Sequence, residues 1–289
     1  MIKSTKHLAY TLQVDFKEFQ SITQNIDNHY REKIVIKLDK FGKPKLDKNG
    51  IPKQRIINPS INRLKIIQKR IQKYILLKIE LPPYAFGAVK GKDNVDNAKQ
   101  HQGKKYKFTT DLKDFFPSIT NKAVNEMFVN QGFSYEVSGI LTKLTTFKGK
   151  IPQGAPTSST LANLVFMKTG DVLYEYAQQH NMTFTSFVDD MTFSSANDFK
   201  AKLPEILEII TAEYKISHKK TNYSRNPNIT GLHPMNNHLK LPKSFMDKLE
   251  STEERTPEQN AGLLMYKEKI SKANYGKKPV ANKELSYKT

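Results

Sequence analysis

Four residues, Phe187-Val188-Asp189-Asp190, stand between two short alternating runs, Thr183-Phe184-Thr185-Ser186 before and Met191-Thr192-Phe193-Ser194 after. Alternation at period two on both sides of so short a break predicts a β-hairpin with an adjacent carboxylate pair at its turn. Neighbouring anions repel and cost stability unless a cation sits between them, so a fold that keeps these two must supply one. A third acid ends a β-branched approach in Thr109-Thr110-Asp111-Leu112-Lys113-Asp114-Phe115-Phe116. Carboxylates gathered this way suit Mg²⁺. Two such ions about 3.5–4 Å apart can clamp the attacking and leaving oxygens of an in-line phosphoryl transfer. An isolated Asp-Asp is more often a polar turn than a site, because Asp is a favoured turn residue. The rest of the chain decides between these two.

Charge is the next constraint. Lys and Arg number 47 against 28 Asp and Glu, a formal charge of +19 spread along the whole of the 289 residues. A polyanion is the natural partner. No apolar run approaches the ~18 residues of a spanning helix, and the best stretch, Tyr74 to Leu81, is broken by Lys78 and Glu80, so no membrane partner is expected. The opening residues Met1 to His7 lack the apolar core of a signal peptide, and a cytoplasmic location is expected. With no Cys at all, disulfides, thiolate zinc sites and thiol catalysis are excluded. The hydrophobic fraction of 37% supplies a real core.

Periodicity predicts helices in the first ~30 residues, then a basic hairpin around Lys33–Lys37 and Arg55–Ile57. An amphipathic helix carries Leu64, Ile67, Ile71 and Ile75 on one face, displays Lys65, Lys69, Arg70 and Lys73 elsewhere, and is expected to end at Pro82-Pro83. Further helices are expected over 93–102, 121–131, 160–179 and 199–213, with strands near 107–111, 183–194 and 229–232. A charged helical segment runs over 243–274. Helices alternating with strands imply an α/β or α+β core sheet. His101, one turn from Asn97, has no acid or nucleophile placed to work with it and reads as a hydrogen-bonded scaffold residue.

Between the acidic sites lies Ile151-Pro152-Gln153-Gly154-Ala155-Pro156-Thr157-Ser158, a Gly/Pro turn that allows close backbone approach and leads into a helix. Taken in order, these segments resemble the motifs of reverse transcriptases. Asp111 with the aromatic Phe116 matches motif A, Gln153-Gly154-Ala155-Pro156 motif B, and Phe187-Val188-Asp189-Asp190 motif C, where Phe replaces the usual Tyr. Lys220-Thr221 matches the end of motif D, and Arg55-Ile56-Ile57-Asn58-Pro59 a fingers motif. Within that family the likeness is to the bacterial retron group, through Asn97-Ala98-Lys99-Gln100-His101 and Ile229-Thr230-Gly231.

The resemblance implies an α+β right-hand polymerase with fingers, a palm of antiparallel sheet plus helices, and a small helical thumb. Fingers and palm would occupy residues 1–235 and the thumb 236–289. It implies RNA-directed DNA synthesis, with two Mg²⁺ ions held by Asp111, Asp189 and Asp190 and with Lys220 as proton donor to pyrophosphate. Arg55 and Lys53 would meet the triphosphate of the incoming dNTP, Phe116 would gate against ribonucleotides, and Gln153 and Gly154 would line the nucleotide site. Lys65, Lys69, Arg70, Lys277 and Lys278 would grip the RNA/DNA duplex through its backbone. Retron kinship further implies a dedicated structured non-coding RNA as template and primer, a covalent RNA–DNA product (multicopy single-stranded DNA), and an effector protein in antiphage defence. Two rivals stand beside it: another defence-associated reverse transcriptase with different priming, and a catalytically silent RNA-binding scaffold. The segment Gly87-Ala88-Val89-Lys90-Gly91-Lys92-Asp93 fails as a phosphate loop, because its Gly spacing is one short and Asp93 replaces the Ser/Thr.

Overall fold

The computed structural model describes residues 2–39, 42–251 and 255–275. Helices α1 (Thr5–Thr11) and α2 (Phe16–Gln24) start at side-chain caps: Ser4 accepts from the His7 N–H, and Asp15 from those of Lys17 and Glu18. Strands β1 (Lys33–Ile36) and β2 (Gln54–Ile57) form an exposed antiparallel ribbon. In α3 (Asn62–Tyr74) the residues Leu64, Ile67, Gln68 and Ile71 are buried, the stripe that the periodicity predicts. The helix ends well before Pro82-Pro83, because Ile75 and Leu76 leave the helical path to enter the core and a short 3₁₀ turn follows.

Next come α4 (Asn94–Gln100), β3 (Tyr106–Asp111), α5 (Phe115–Ser118), α6 (Asn121–Asn130), α7 (Tyr135–Thr145) and α8 (Ser158–Gln179). The hairpin β4 (Thr183–Phe187) and β5 (Asp190–Ser195), helix α9 (Leu203–Thr211) and strand β6 (Asn222–Ser224) complete the central unit. The sheet order is β4-β5-β3-β6, with β5 antiparallel to both β3 and β4 and β6 antiparallel to β3. Alternation splits its residues between two faces. Phe108, Phe193 and Phe184 lie in one row across three strands, fully buried, with the last two rings stacked at 4.6 Å. Each such ring contributes about 2 kcal/mol by leaving water. The other face carries Lys107, Thr109 and Asp111 beside Ser194, Thr192 and Asp190.

The short ribbon of β7 (His233–Pro234) and β8 (Leu239–Lys240) leads to α10 (Lys243–Glu250) and α11 (Pro257–Tyr275). Two expectations are corrected here. Residues 229–232 form a tight turn rather than a strand: Ile229 and Leu232 exchange backbone hydrogen bonds of 2.7 and 3.0 Å, while Thr230 (φ +46°) and Gly231 (φ +94°) curl the chain back. The helical stretch 243–274 is two helices, since Ser251 is extended and Pro257 opens a fresh first turn, where its missing N–H costs nothing. A second small core joins Val95 and Ala98 of α4 to Leu232, Leu239 and Ile270, which lie on both sides of residue 235 in the β7–β8 turn. Among the described residues no helix is long and apolar enough to cross a membrane.

Candidate active site

Asp111 is the last residue of β3 and pairs across the ladder with Asp190, the first residue of β5. Asp189 sits in the two-residue hairpin turn, whose other member, Val188, is held at φ +60°, a costly conformation for a β-branched residue. The three carboxylates lie within 4.8 Å of one another, Asp111 buried and its neighbours partly exposed. Burial, then the charges of Asp189 and Asp111, push the Asp190 carboxyl up to about 6. Burial and the Asp111 charge also raise Asp189.

Among the described residues one lysine answers these three acids: Lys220 Nζ donates to Asp111 Oδ2 at 2.5 Å. Burial draws its pKa down, but the hydrogen bond and charge of Asp111 outweigh this and hold it above the ordinary value. Lys220 is brought here by antiparallel pairing beyond the strand end, where Ser217 N–H donates to Asp111 O at 2.8 Å and the Thr110 and Thr221 hydroxyls meet at 2.9 Å. Three clustered carboxylates, the pKa of Asp189 and Asp190 raised, against one ammonium among the described residues leave the cluster short of positive charge. Oxygen ligands this close fit a hard divalent cation.

The turn is backed by a residue that sequence reasoning had set aside with the failed phosphate loop. A Cβ on Gly87 would stand 2.6 Å from Val188 N and 2.7 Å from Phe187 C, so only glycine lets this segment touch the acidic turn. Asn163 of α8 holds it there, donating from Nδ2 to Gly87 O at 2.7 Å, and Phe86 N–H donates to Ser186 O at 2.9 Å. The signal in the sequence was a glycine whose reason lay in a distant segment.

Phe116 lies on α5 at the exit from β3, partly buried, its ring 5.9 Å from that of Phe115. Gln153 O accepts from Asn58 N–H at 2.8 Å, which joins the ribbon end to the Gln153-Gly154 turn, and a Cβ on Gly154 (φ +95°) would stand 3.8 Å from Ile57 and Pro59. Arg55 and Lys53 are exposed on that ribbon and are not part of the acidic cluster. Lys65 and Lys69 are exposed on α3. Arg70, expected beside them on a nucleic-acid face, is turned inward: its Nη1 donates to the Leu12 and Gln13 carbonyls at 3.0 and 2.5 Å, closing the end of α1. Lys277 and Lys278 lie outside the described residues.

At the far end of β3 is a hollow of about 880 Å³ that sequence reasoning missed. Lys104, Lys105, Lys107, Arg225 and His238 line it with no carboxylate among the lining residues. Lys107 Nζ donates to the Arg225 carbonyl at 2.9 Å, and Lys105 and Arg225 stand 5.4 and 5.9 Å from the centre of the Tyr106 ring. Separate short stretches of chain supply these cations, and strand pairing brings them together.

An antiparallel sheet with an acidic triad at its hairpin edge is the palm of a right-hand polymerase. The family model for "Reverse transcriptase (RNA-dependent DNA polymerase)" matches residues 5–234, and the chain belongs to that family. Its similarity within the family is to retron enzymes. The retron Se72 reverse transcriptase of Salmonella heidelberg (strain 579083-10) is 33% identical over 221 residues, 75% of this chain and 55% of its own. The retron Ec86 reverse transcriptase of Escherichia coli is 34% identical over 151 residues, 52% of this chain and 47% of its own. The chain thus spans about half the length of these curated relatives. The solved apo telomerase of Candida tropicalis, truncated from its C-terminal domain, aligns over 79% of this chain and 61% of its own at 12% identity and TM-score 0.45.

Proposed function

We propose that this chain is the polymerase of a retron and copies a dedicated structured RNA into DNA. The observation that carries the proposal is the triad of Asp111, Asp189 and Asp190, clustered within 4.8 Å and countered, among the described residues, by Lys220 alone. These acids would hold two Mg²⁺ ions, which when bound lower the pKa of the primer hydroxyl and neutralise charge on the transferring phosphate. Lys220, kept protonated by its acidic neighbours, hands a proton to the leaving pyrophosphate. Arg55 and Lys53 close on the triphosphate of the dNTP, Arg55 with a fork that suits phosphate oxygens. Gly154 leaves the backbone open to the nucleotide, and Gln153 orients it. Phe116 packs where a ribose 2′-hydroxyl would fit, so Phe116→Ala should admit ribonucleotides.

Lys65, Lys69 and the basic hollow hold the nucleic-acid backbone, with residues 1–235 as fingers and palm and the residues after them as thumb. Likeness to retron enzymes extends the proposal to priming from an internal 2′-hydroxyl, a covalent RNA–DNA product, and an effector partner in cytoplasmic antiphage defence. Primer extension on an RNA template with Mg²⁺ tests the polymerase: no extension by the folded protein would leave the silent scaffold. Nucleic acid purified with the protein from its host should contain a DNA joined to RNA at a branch that survives denaturation. A free DNA 5′ end, or one attached to protein, would assign a different priming mode.

A further inference from the structure

Helix α4 supplies no group to the chemistry, yet it touches three separate parts of the molecule. At its start, Asp93 forms an ion pair with Lys269 of α11. Asn94 Nδ2 donates to Thr230 O at 3.0 Å and to the Tyr266 hydroxyl of α11 at 2.6 Å. Asn97 Nδ2 donates to Thr230 Oγ1 at 3.2 Å. At its other end, the fully buried His101 places one ring nitrogen 2.7 Å from Ser194 Oγ on β5 and the other 2.8 Å from Thr185 Oγ1 on β4.

The turn that Asn94 and Asn97 hold faces the site. Asn228, Ile229, Thr230 and Gly231 wall a pocket of about 590 Å³ whose other lining includes Phe187, Asp190 and Lys220. Thr230 is kept at φ +46° there, a conformation that persists only where surrounding bonds over-determine it. Packing alone would not need amides: Val95 and Ala98 already bury apolar surface against Leu232 and Ile270. Burying polar side chains costs stability unless each is bonded, and what the bonds add in return is direction. A helix rises about 1.5 Å per residue, so α4 carries that direction across roughly 10 Å without bending.

We propose that Asn94 and Asn97 are positioning residues, which lock the Thr230-Gly231 turn and α11 to the catalytic hairpin so that the growing strand end is held at one distance from the acids. The proposal rests on the polymerase reading. It gives the two retron-like segments, Asn97 to His101 and Ile229 to Gly231, a shared mechanical role.

Asn94→Asp tests it, since the change keeps the shape, removes both N–H donors, and suits a first-turn position of a helix. DNA made per binding event, measured on a primed RNA template with a heparin trap, should shorten about fivefold or more, the scale of one or two directed hydrogen bonds. Affinity for template-primer should fall with it, while dNTP affinity stays within about twofold, because the fingers residues that meet dNTP are untouched. Hydrogen exchange should quicken both at residues 229–232 and in α11. Unchanged product length in a folded variant would overturn the proposal. So would a uniform loss of dNTP and template-primer affinity with a falling Tm, which marks a residue that only holds the fold. If the wild-type protein extends no primer, the polymerase reading falls and exchange alone decides: faster exchange in both segments upholds the coupling, and faster exchange in neither overturns it.

Discussion

The two ends of the β4–β5 hairpin use the same strands and the same face, and they are opposites. At the turn, three carboxylates crowd one ammonium, a β-branched residue is held at positive φ, and the pKa of Asp190 is driven up. At the other end, His101 is sandwiched between two hydroxyls, and burial, with Lys107 and Lys104 adding, pushes its pKa down to about 3. One end is satisfied by the protein itself. The other carries more negative charge than its described neighbours offset, an arrangement that suits a divalent cation. Strain confined to a chemical edge and full bonding behind it is how a fold keeps a reactive cluster in place without losing the scaffold.

The largest effect that would break this contrast lies in the acids. Asp111→Asn and Asp189→Asn should each lower Mg²⁺-dependent extension on the order of 10³-fold or more with the fold intact, because each removes a negative metal ligand of nearly unchanged size. Asp190→Asn should cost less. Extension near the wild-type rate by a folded Asp189→Asn protein would remove the turn from the chemistry.

Gly87→Ala comes next. A methyl 2.6 Å from the Val188 nitrogen must push on backbone, so the variant should lose about 2–3 kcal/mol of stability and at least tenfold in extension rate. Denaturant melts beside the extension assay would show it, and a neutral substitution would mean that the turn moves freely.

The two ends also titrate in opposite directions. The folded His101 stays neutral at a pH where the unfolded imidazole is protonated, so its contribution is full above pH 6.5 and is lost as pH falls toward about 3. His101→Gln should flatten that acid loss and cost about 2 kcal/mol at neutral pH through imperfect pairing of Ser194 and Thr185. Asp190 acts the other way: its folded carboxyl keeps a proton between pH 3.8 and about 6, so metal-free stability falls as pH rises through that window. The smallest expected effect follows, since Asp190→Asn should raise metal-free stability at pH 7 by about 1 kcal/mol. Tm against pH for the two variants, without and with Mg²⁺, resolves both, and a Tm for Asp190→Asn below wild type without metal would show that the acids do not repel.

Much of this was legible in the chain. The hairpin over 183–194 was written in strict alternation around a two-residue break, and its acids appear at the turn as expected. The stripe of α3 and the scaffold place of His101 were readable for the same reason, since local period and the lack of a chemical partner are local facts. Residues 229–232 misled because an Ile-Thr pair has strand propensity, while hydrogen bonds from a helix over a hundred residues earlier set the turn. The contacts of Arg70 were unreadable for the same reason, since periodicity says which face a side chain leaves from and not which carbonyls wait beside it.

The sequence by itself determined which residues carry charge, where most strands and helices run, and which segments hold the clustered acids, because these follow from residue type and short spacing. Only the tertiary structure decided that Asp111 faces Asp190, that Lys220 pairs with Asp111, that Gly87 must be glycine, and that cations from distant segments line one hollow. These are distances between residues far apart in the chain. Long-range packing sets such distances, and no local pattern records them.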